Sequence, residues 1–546
     1  MTRKRILSMA LLAALFGWFG FALVARAESV TTASVVATAD GIGVSGYLLT
    51  WFLPLGVALV AVGVSNPQRA AQVVTSLPLA LAAALAGFYV CGFAFQFGGL
   101  GLISSDPAFA DYLAEWSPLD LRLGAGWGLL GLRGFMLGGN VSGGPVLALF
   151  LAQLPLVTTA ALIPLVTMNG RMPRLPGFGL ALLVSCLCYP LAGNWIQGGG
   201  WLSQLGETRQ LGVGLVDGGL TWPHLVGAGA ALAGLIAFRP RDPDPSPATP
   251  ELPRAYLPLN VLIGAVFALV GWLALQFIRP GMIFPAVAQL VEVPLDMTRL
   301  MFHALVAVSA AALTTAFYGW LARGEPDAGL MGRGILAALI AVGAGLPYLP
   351  TWAVVLVAGL AGLILAPVMY LIERVFGLDD RGATVAVHGV SAILGLLAVG
   401  LFADGTWGVN GYWGAGSAHT GQLQAQLIGI GAVLLISMGV PWLLLAIIAR
   451  AYILPETIQT RARERAARLR AERQTRKTLR LRGLRRSPFQ RAYAALLHFV
   501  SRRKRRLSKR ARLAGNGSMG QSARPASRRA FRSSGNGQSA DGQPTP

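Results

Sequence analysis

Residues 378–405 read LDDRGATVAVHGVSAILGLLAVGLFADG. From Ala383 to Ala403 every side chain is apolar or small except Thr384, His388 and Ser391, and His388 alone can carry a charge. An apolar run of about 20 residues crosses a hydrocarbon layer of roughly 30 Å as a helix. A lone histidine in such a helix is commonly a hydrogen-bonded packing residue. A second one at matched depth changes the reading. It stands in DGGLTWPHLVGAGAALAGL, residues 217–235, as His224. His224 follows Asp217 by about 10 Å of helix rise, and His388 follows Asp380 by about 12 Å, counted from opposite membrane faces. Across ~30 Å of hydrocarbon the two levels differ by only ~8 Å, which helix tilt can close. The expectation is a pair of imidazoles near the midplane, with ring nitrogens about 2.7–3.2 Å apart. In such a pair one ring donates and the other accepts.

The rest of the chain agrees with a membrane setting. Of 546 residues, 54% are hydrophobic and 12% charged, which excludes a set of soluble domains. Hydropathy gives eleven spans: 45–63, 71–96, 143–166, 174–194, 219–238, 257–277, 299–321, 333–347, 352–373, 383–403 and 423–448. The fold class read from this is an all-α polytopic membrane protein of eleven transmembrane helices. Five spans precede and six follow the Pro-rich segment 239–256, which hints at two pseudo-inverted halves with function at their interface. The 69 Gly and 32 Pro fit close packing and kinks inside a membrane bundle.

Charge orients the spans. Arg69, Arg171, Arg174, Arg239, Arg241, Arg254, Arg323, Arg333, Arg374 and Arg381 fall in one set of loops, the inner set by the positive-inside rule. Asp106, Asp111, Glu115, Asp120, Glu207, Glu292, Asp296 and Asp404 fall in the other. The expected topology is an outer N-terminus and a cytoplasmic C-terminus in a bacterial inner (plasma) membrane. Residues 1–27 read as a cleaved signal peptide: a basic start, an apolar run and an Ala25-Arg26-Ala27 site. Residues 28–44 form a mature N-terminal segment, and 45–448 the transmembrane domain.

The net charge of +22 arises beyond the spans, because residues 449–546 hold 26 of the 45 Lys+Arg and 4 of the 23 Asp+Glu. Residues 449–512 are Arg-rich with interleaved Leu and Ala, and read as a helix-permissive cytoplasmic tail. Residues 513–546 are Gly/Ser/Pro/Gln-rich and read as disordered. Phe489 to Phe499 put an apolar patch within the basic run, and no nucleic-acid-binding fold is recognisable. The expected partner of the tail is therefore anionic lipid rather than nucleic acid.

Other chemistries find little footing. Cys91, Cys186 and Cys188 lie in apolar runs and read as small core residues. No histidine has metal-ligand spacing. His303 reads as packed, and His419 and His498 as loop and tail residues. The Gly-rich stretch 126–140 does not join a strand to a helix and is no phosphate loop. Neither an enzyme, a cofactor nor a metal is expected.

The two histidine segments resemble the fifth and tenth helices of the ammonium transporter (Amt/Rh) family. The stretches 62–99, 153–177, 190–202, 269–277 and 322–345 resemble its other helices in the right order, so that the likeness spans about residues 45–448. The resemblance implies an ammonium/ammonia channel or transporter that assembles as a homotrimer with one pore per subunit. It implies that His224 and His388 are the twin pore histidines and that Asp217 supports an outer vestibule. The vestibule Trp falls on Trp195 or, with the gap placed differently, on Gln197; Trp272 and Gln276 complete the set. Leu156 and Leu275 occupy the places of the family's stacked Phe gates. Arg279 stands where a vestibule Ser is usual, Ala383 replaces an Asp of the tenth helix, and the basic tail replaces the family's short C-terminal regulatory motif. Those departures keep a second reading open: a non-conducting, Amt-like ammonium sensor that signals through the tail.

Overall fold

The computed structural model describes residues 45–65, 67–104, 107–123, 125–138, 144–238, 256–278, 296–380, 382–414 and 420–450. The signal segment, residues 28–44, the basic tail beyond Arg450 and the C-terminal stretch lie outside them, as do Arg279, His419 and His498.

Among the described residues, nine helices are long and apolar enough to cross a membrane and two more are shorter. In chain order they are α1 (Ser45–Gly63), α2 (Ala70–Leu102), α3 (Pro145–Thr167), α4 (Arg174–Gln197), α5 (Trp222–Ala237), α6 (Pro258–Gln276), α7 (Met297–Arg323), α8 (Ala328–Gly343), α9 (Thr351–Val375), α10 (Val385–Phe402) and α11 (Gly421–Arg450). The order agrees with the eleven spans expected from hydropathy. The loop between α2 and α3 is irregular apart from short helical turns and one antiparallel ladder, in which β1 (Glu115–Trp116) pairs with β2 (Leu130–Gly131).

The short helices α5 and α8 have 16 residues each, about 24 Å of rise, less than a full crossing. Buried irregular backbone makes up the difference. Non-helical backbone at this depth survives only where its polar groups are satisfied inside the protein. Two glutamines of α11 do this for the approach to α5. Gln422 accepts from the Val213 N–H at 3.2 Å and donates to the Gly214 carbonyl at 2.8 Å. Gln426 repeats the pattern on Val216, at 3.1 and 2.7 Å. The Gly218 N–H then reaches the Ala344 carbonyl, just past α8, at 2.9 Å, so the two broken ends are stitched together.

Small residues let the helices approach. A Cβ on Gly56 would run into the backbone of Gly264 and Ala268, and one on Gly271 into the backbone of Phe52 and Leu53, so α1 and α6 meet nearly backbone to backbone. Gly227 of α5 faces Ala160 and Ile163 of α3, and Gly395 of α10 faces Ala341 of α8. Lipid tails are as apolar as leucine, so such close contact supplies the packing that burial cannot supply between helices in a membrane. Helix α5 is buried on every side from Trp222 to Ala231, which places it at the centre of the bundle.

Candidate functional site

Each histidine helix starts on a buried aspartate. Asp217 Oδ1 accepts the N–H groups of Gly219 at 2.8 Å and of Leu220 and Thr221 at 3.3 Å, and its Oδ2 accepts that of Trp222 at 2.6 Å. The Trp222 N–H is one that the helix itself leaves without a partner, and the other three belong to the turn that leads into it. Burial pushes the Asp217 carboxyl up to about 6, opposed by the same N–H donors. Asp380 plays the part at α10: Oδ1 accepts from Thr384 N at 2.9 Å and Oδ2 from Val385 N at 2.7 Å. Burial also raises its carboxyl above the ordinary carboxylate range. The approach to α10 is unusual at Ala383, a fully buried non-glycine residue with φ of 56°. Residues 385–390 form a π-helical turn that contains His388. Such single π turns occur often at functional positions, because the extra residue re-aims the side chains beside it.

The two starts converge on the rings. His388 Nδ1 lies 3.0 Å from His224 Nδ1, within the separation expected from the helix depths. The rings are nearly parallel, at 12°, with centroids 5.0 Å apart, and both residues are buried. An Nδ1–Nδ1 bond needs a proton on one side only. With both rings neutral, the ring that donates through Nδ1 has an acceptor at Nε2, and its partner has an N–H donor at Nε2. The pair thus offers one donor and one acceptor without any net charge.

Leu156 of α3 and Leu275 of α6 are both fully buried, as are the indoles of Trp222 and Trp272. Neither indole N–H, nor Gln276 Nε2, finds a hydrogen-bond partner among the described residues. The Trp222 ring lies against Tyr189, with centroids 4.4 Å apart. Tyr189 donates to Gln153 Oε1 at 2.6 Å, and Gln153 Nε2 donates to Gln197 Oε1 at 3.2 Å. Gln197 is thereby linked to Trp222 through a buried polar chain. Trp195 faces elsewhere: its indole N–H goes to the Leu129 carbonyl at 3.0 Å and its ring meets Trp201 edge-on. Of the two positions for the vestibule residue, Gln197 is the one joined to the histidine helix. The sequence reading missed Gln153 and Tyr189; a glutamine in an apolar span was the available signal. His303 is packed, with Nε2 3.0 Å from Thr351 Oγ1 and Nδ1 3.4 Å from the Leu346 carbonyl.

On the side of Asp380, His388 borders a cavity of about 60 Å³, also lined by Thr167, Thr384, Asp379, Asp380 and the C-terminal end of α1. That space admits a few waters. Thr167 donates to Thr384 Oγ1 at 2.9 Å across it, and Arg171 pairs with Asp379 at 3.0 Å at its rim. The histidine pair therefore has a polar side, toward the cavity at Thr384, Asp379 and Asp380.

The sequence model of the Ammonium Transporter Family matches residues 42–462. The chain is 29% identical over 372 residues to ammonium transporter Amt2 of Archaeoglobus fulgidus, covering 66% of this chain and 70% of that one. It is 26% identical over 366 residues to an ammonium transporter of Aquifex aeolicus, covering 64% and 80%. Among solved structures, a sensor Amt protein superposes with a TM-score of 0.59 at 21% identity over 75% of this chain and 93% of its own. Candida albicans Mep2 superposes with a TM-score of 0.56 at 19% identity, over 75% and 83%.

Proposed function

Because this multi-pass membrane chain belongs to the ammonium transporter family, we propose that it carries ammonium nitrogen across the membrane as ammonia, past His224 and His388. The observation that carries the reading is the buried Nδ1–Nδ1 contact at 3.0 Å. A cation on this path loses its hydration among leucine and tryptophan, at a cost of several kcal/mol. Neutral ammonia avoids that cost. It can donate to the acceptor Nε2 of one ring and accept from the Nε2–H of the other, so the pair replaces hydration for the molecule that can pass. Leu156 and Leu275 act as the dry gate outside the pair, with Asp217, Gln197, Trp272 and Gln276 holding the approach. The inner cavity at Thr167 and Thr384 returns the molecule to water. No covalent step is needed, in line with the family's members being channels and not enzymes.

Several further readings belong with this one. The protein functions as a homotrimer in a bacterial inner membrane, with its N-terminus outside after removal of residues 1–27. Residues 45–448 form the conducting domain, and the basic tail lies on anionic lipid of the cytoplasmic leaflet, each basic residue near the surface adding about 1 kcal/mol.

The test is flux. Full-length protein in liposomes is expected to take up labelled methylammonium, and a His224→Ala/His388→Ala double variant is expected to lose selectivity against alkali cations. Leucine at 156 and 275, the places of the family's stacked Phe gates, favours one alternative, the non-conducting sensor. Absence of flux in wild type, with ammonium binding retained, would establish that alternative and refute conduction.

A further inference from the structure

Cys91 and Cys186 are not the core residues that their apolar flanks suggest. Both are partly exposed, whereas Cys188 is fully buried. Each stands about 16 Å of rise before the end of its helix, at Leu102 for α2 and Gln197 for α4, and so lies within the hydrocarbon. Each also sits in a π-helical turn, at residues 88–92 and 184–188, and the two turns face each other. Glycines bring the backbones together. A Cβ on Gly87 would stand 3.1 Å from Cys186 N and 3.3 Å from Cys186 Cβ, and one on Gly92 2.7 Å from the Ser185 carbonyl. Cys91 Sγ turns back over Gly87, 3.6 Å from its carbonyl and 3.7 Å from the Cys186 carbonyl. The two thiols are hydrogen-bonding neighbours. Tyr89 and Val90 beside them lie on the exposed face of α2, so lipid reaches the pair.

Two thiols with no third His, Cys, Asp or Glu beside them among the described residues make a poor zinc site. What they can do is close. A disulfide needs Cβ atoms about 3.5–4.5 Å apart. With the backbones already in contact at Gly87, side-chain rotation is enough to bring the sulfurs together. We propose that Cys91 and Cys186 form a redox pair, which an organic hydroperoxide dissolved in the bilayer converts into a disulfide between α2 and α4. One sulfur gives up its proton and attacks the terminal peroxide oxygen. The O–O bond breaks, and the alkoxide takes that proton and leaves as an alcohol. The second thiol then attacks the sulfenic acid so formed; the S–O bond breaks, the S–S bond forms, and the hydroxyl leaves with the second proton as water. The thiols lose two electrons and the hydroperoxide gains them. The disulfide falls beside the outer approach. Phe88, on the first π turn, meets Tyr189 edge-on with centroids 6.1 Å apart, and Tyr189 donates to Gln153 on the chain to Gln197. Joining the two turns fixes that contact and so restrains the approach to the histidine pair.

The experiment uses full-length protein, reduced and reconstituted in liposomes. Thiols that survive treatment are counted by maleimide labelling in SDS, where untreated protein gives three. Cumene hydroperoxide, which partitions into lipid, is expected to leave one, Cys188. Mass spectrometry is expected to find Cys91 and Cys186 joined within one subunit. Oxidised glutathione, which stays in water, is expected to leave all three thiols, and tributylphosphine to restore those lost to the hydroperoxide. Cys91→Ser and Cys186→Ser are each expected to abolish the cross-link; the count on wild type decides the matter if either fails to fold. The effect on transport rests on the uptake reading. Oxidised protein is expected to lose methylammonium uptake and regain it on reduction, and the Cys91→Ser/Cys186→Ser variant to be indifferent to the hydroperoxide. Three thiols remaining after the hydroperoxide, a disulfide through Cys188 or between subunits, or sulfinic acid with no cross-link overturns the redox pair. Equal oxidation by glutathione overturns the lipid route. A cross-link with uptake unchanged overturns the restraint on the approach. Absence of uptake before oxidation removes transport and leaves the pair to stand or fall on the cross-link.

Discussion

Replacing Asp217 by alanine tests how the histidine helix is held. Its two oxygens serve four backbone N–H groups, but unequally: the bonds to Trp222 and Gly219, at 2.6 and 2.8 Å, are short, and those to Leu220 and Thr221, at 3.3 Å, are long. An exposed cap costs about 0.5–2 kcal/mol when truncated to alanine. Here water cannot replace the lost oxygen, because Asp217 is 3% exposed. A buried donor left without an acceptor costs about 1–3 kcal/mol, and two are strongly affected. The expected loss for Asp217→Ala is thus about 3 kcal/mol, roughly a hundredfold in the ratio of folded to unfolded protein. Asp217→Asn keeps one acceptor oxygen for the Gly219 side, loses the Trp222 bond and sheds a charge whose burial pushes the acid up to about 6. Its expected cost is about 1 kcal/mol or less. The assay is the half-life of monodisperse protein in detergent at raised temperature, since unfolding of such a chain is read as a rate. An alanine variant as durable as wild type refutes the capping argument. An asparagine variant as weak as alanine shows instead that the charge, not the acceptor geometry, holds the helix start.

Ala383→Gly is expected to stabilise the protein by up to about 1 kcal/mol, because it relieves a left-handed alanine at φ 56° before α10; a longer half-life in the same assay checks it. Leu275→Ala, at a fully buried position, is expected to cost about 2–5 kcal/mol while raising methylammonium flux in liposomes; an unchanged flux removes Leu275 from the gate. Glu115, raised to about 7 by burial, with Asp120 adding to the rise and Asn194 and Ser117 opposing it, binds its proton more tightly when folded. Its contribution is fully present below its ordinary value of 4.5 and is lost as pH rises through about 7. Between pH 5 and 8 in choline buffer, wild type is expected to lose about 1–2 kcal/mol from this half-open group, and Glu115→Gln is expected to show a flatter profile. A peptide of residues 456–512 is expected to bind anionic vesicles, gain helicity there and release as salt rises; sequence-selective binding to RNA or DNA in its place refutes the lipid reading.

How much of this was legible in the sequence follows from what each signal measures. Hydropathy reports length and apolarity, and it located the crossings because an apolar run in hydrocarbon satisfies its own backbone N–H and C=O groups only as a helix. It placed α5 at 219–238 against the observed Trp222–Ala237 and α8 at 333–347 against the observed Ala328–Gly343, because buried glycine-rich loops are as apolar as helices. What distinguishes them is where the backbone groups go, and Gln422 and Gln426 lie more than 200 residues away from the carbonyls they serve. The histidines were legible because charge is rare in a membrane helix, and a depth count needs only the helix rise. The π turn at 385–390 was not, since nothing in VAVHGV departs from an ordinary helix pattern. Gln96, Gln153 and Asn194 carried the same warning as the histidines, polar side chains within apolar runs, yet no periodicity names their partners. Tyr189 meets Gln153 only because α3 and α4 pack side by side, and Glu115 meets the α2–α4 seam only because its loop folds over it. A polar residue in a membrane span can thus be recognised from sequence as expensive, whereas the group that makes it affordable is a property of the packed bundle.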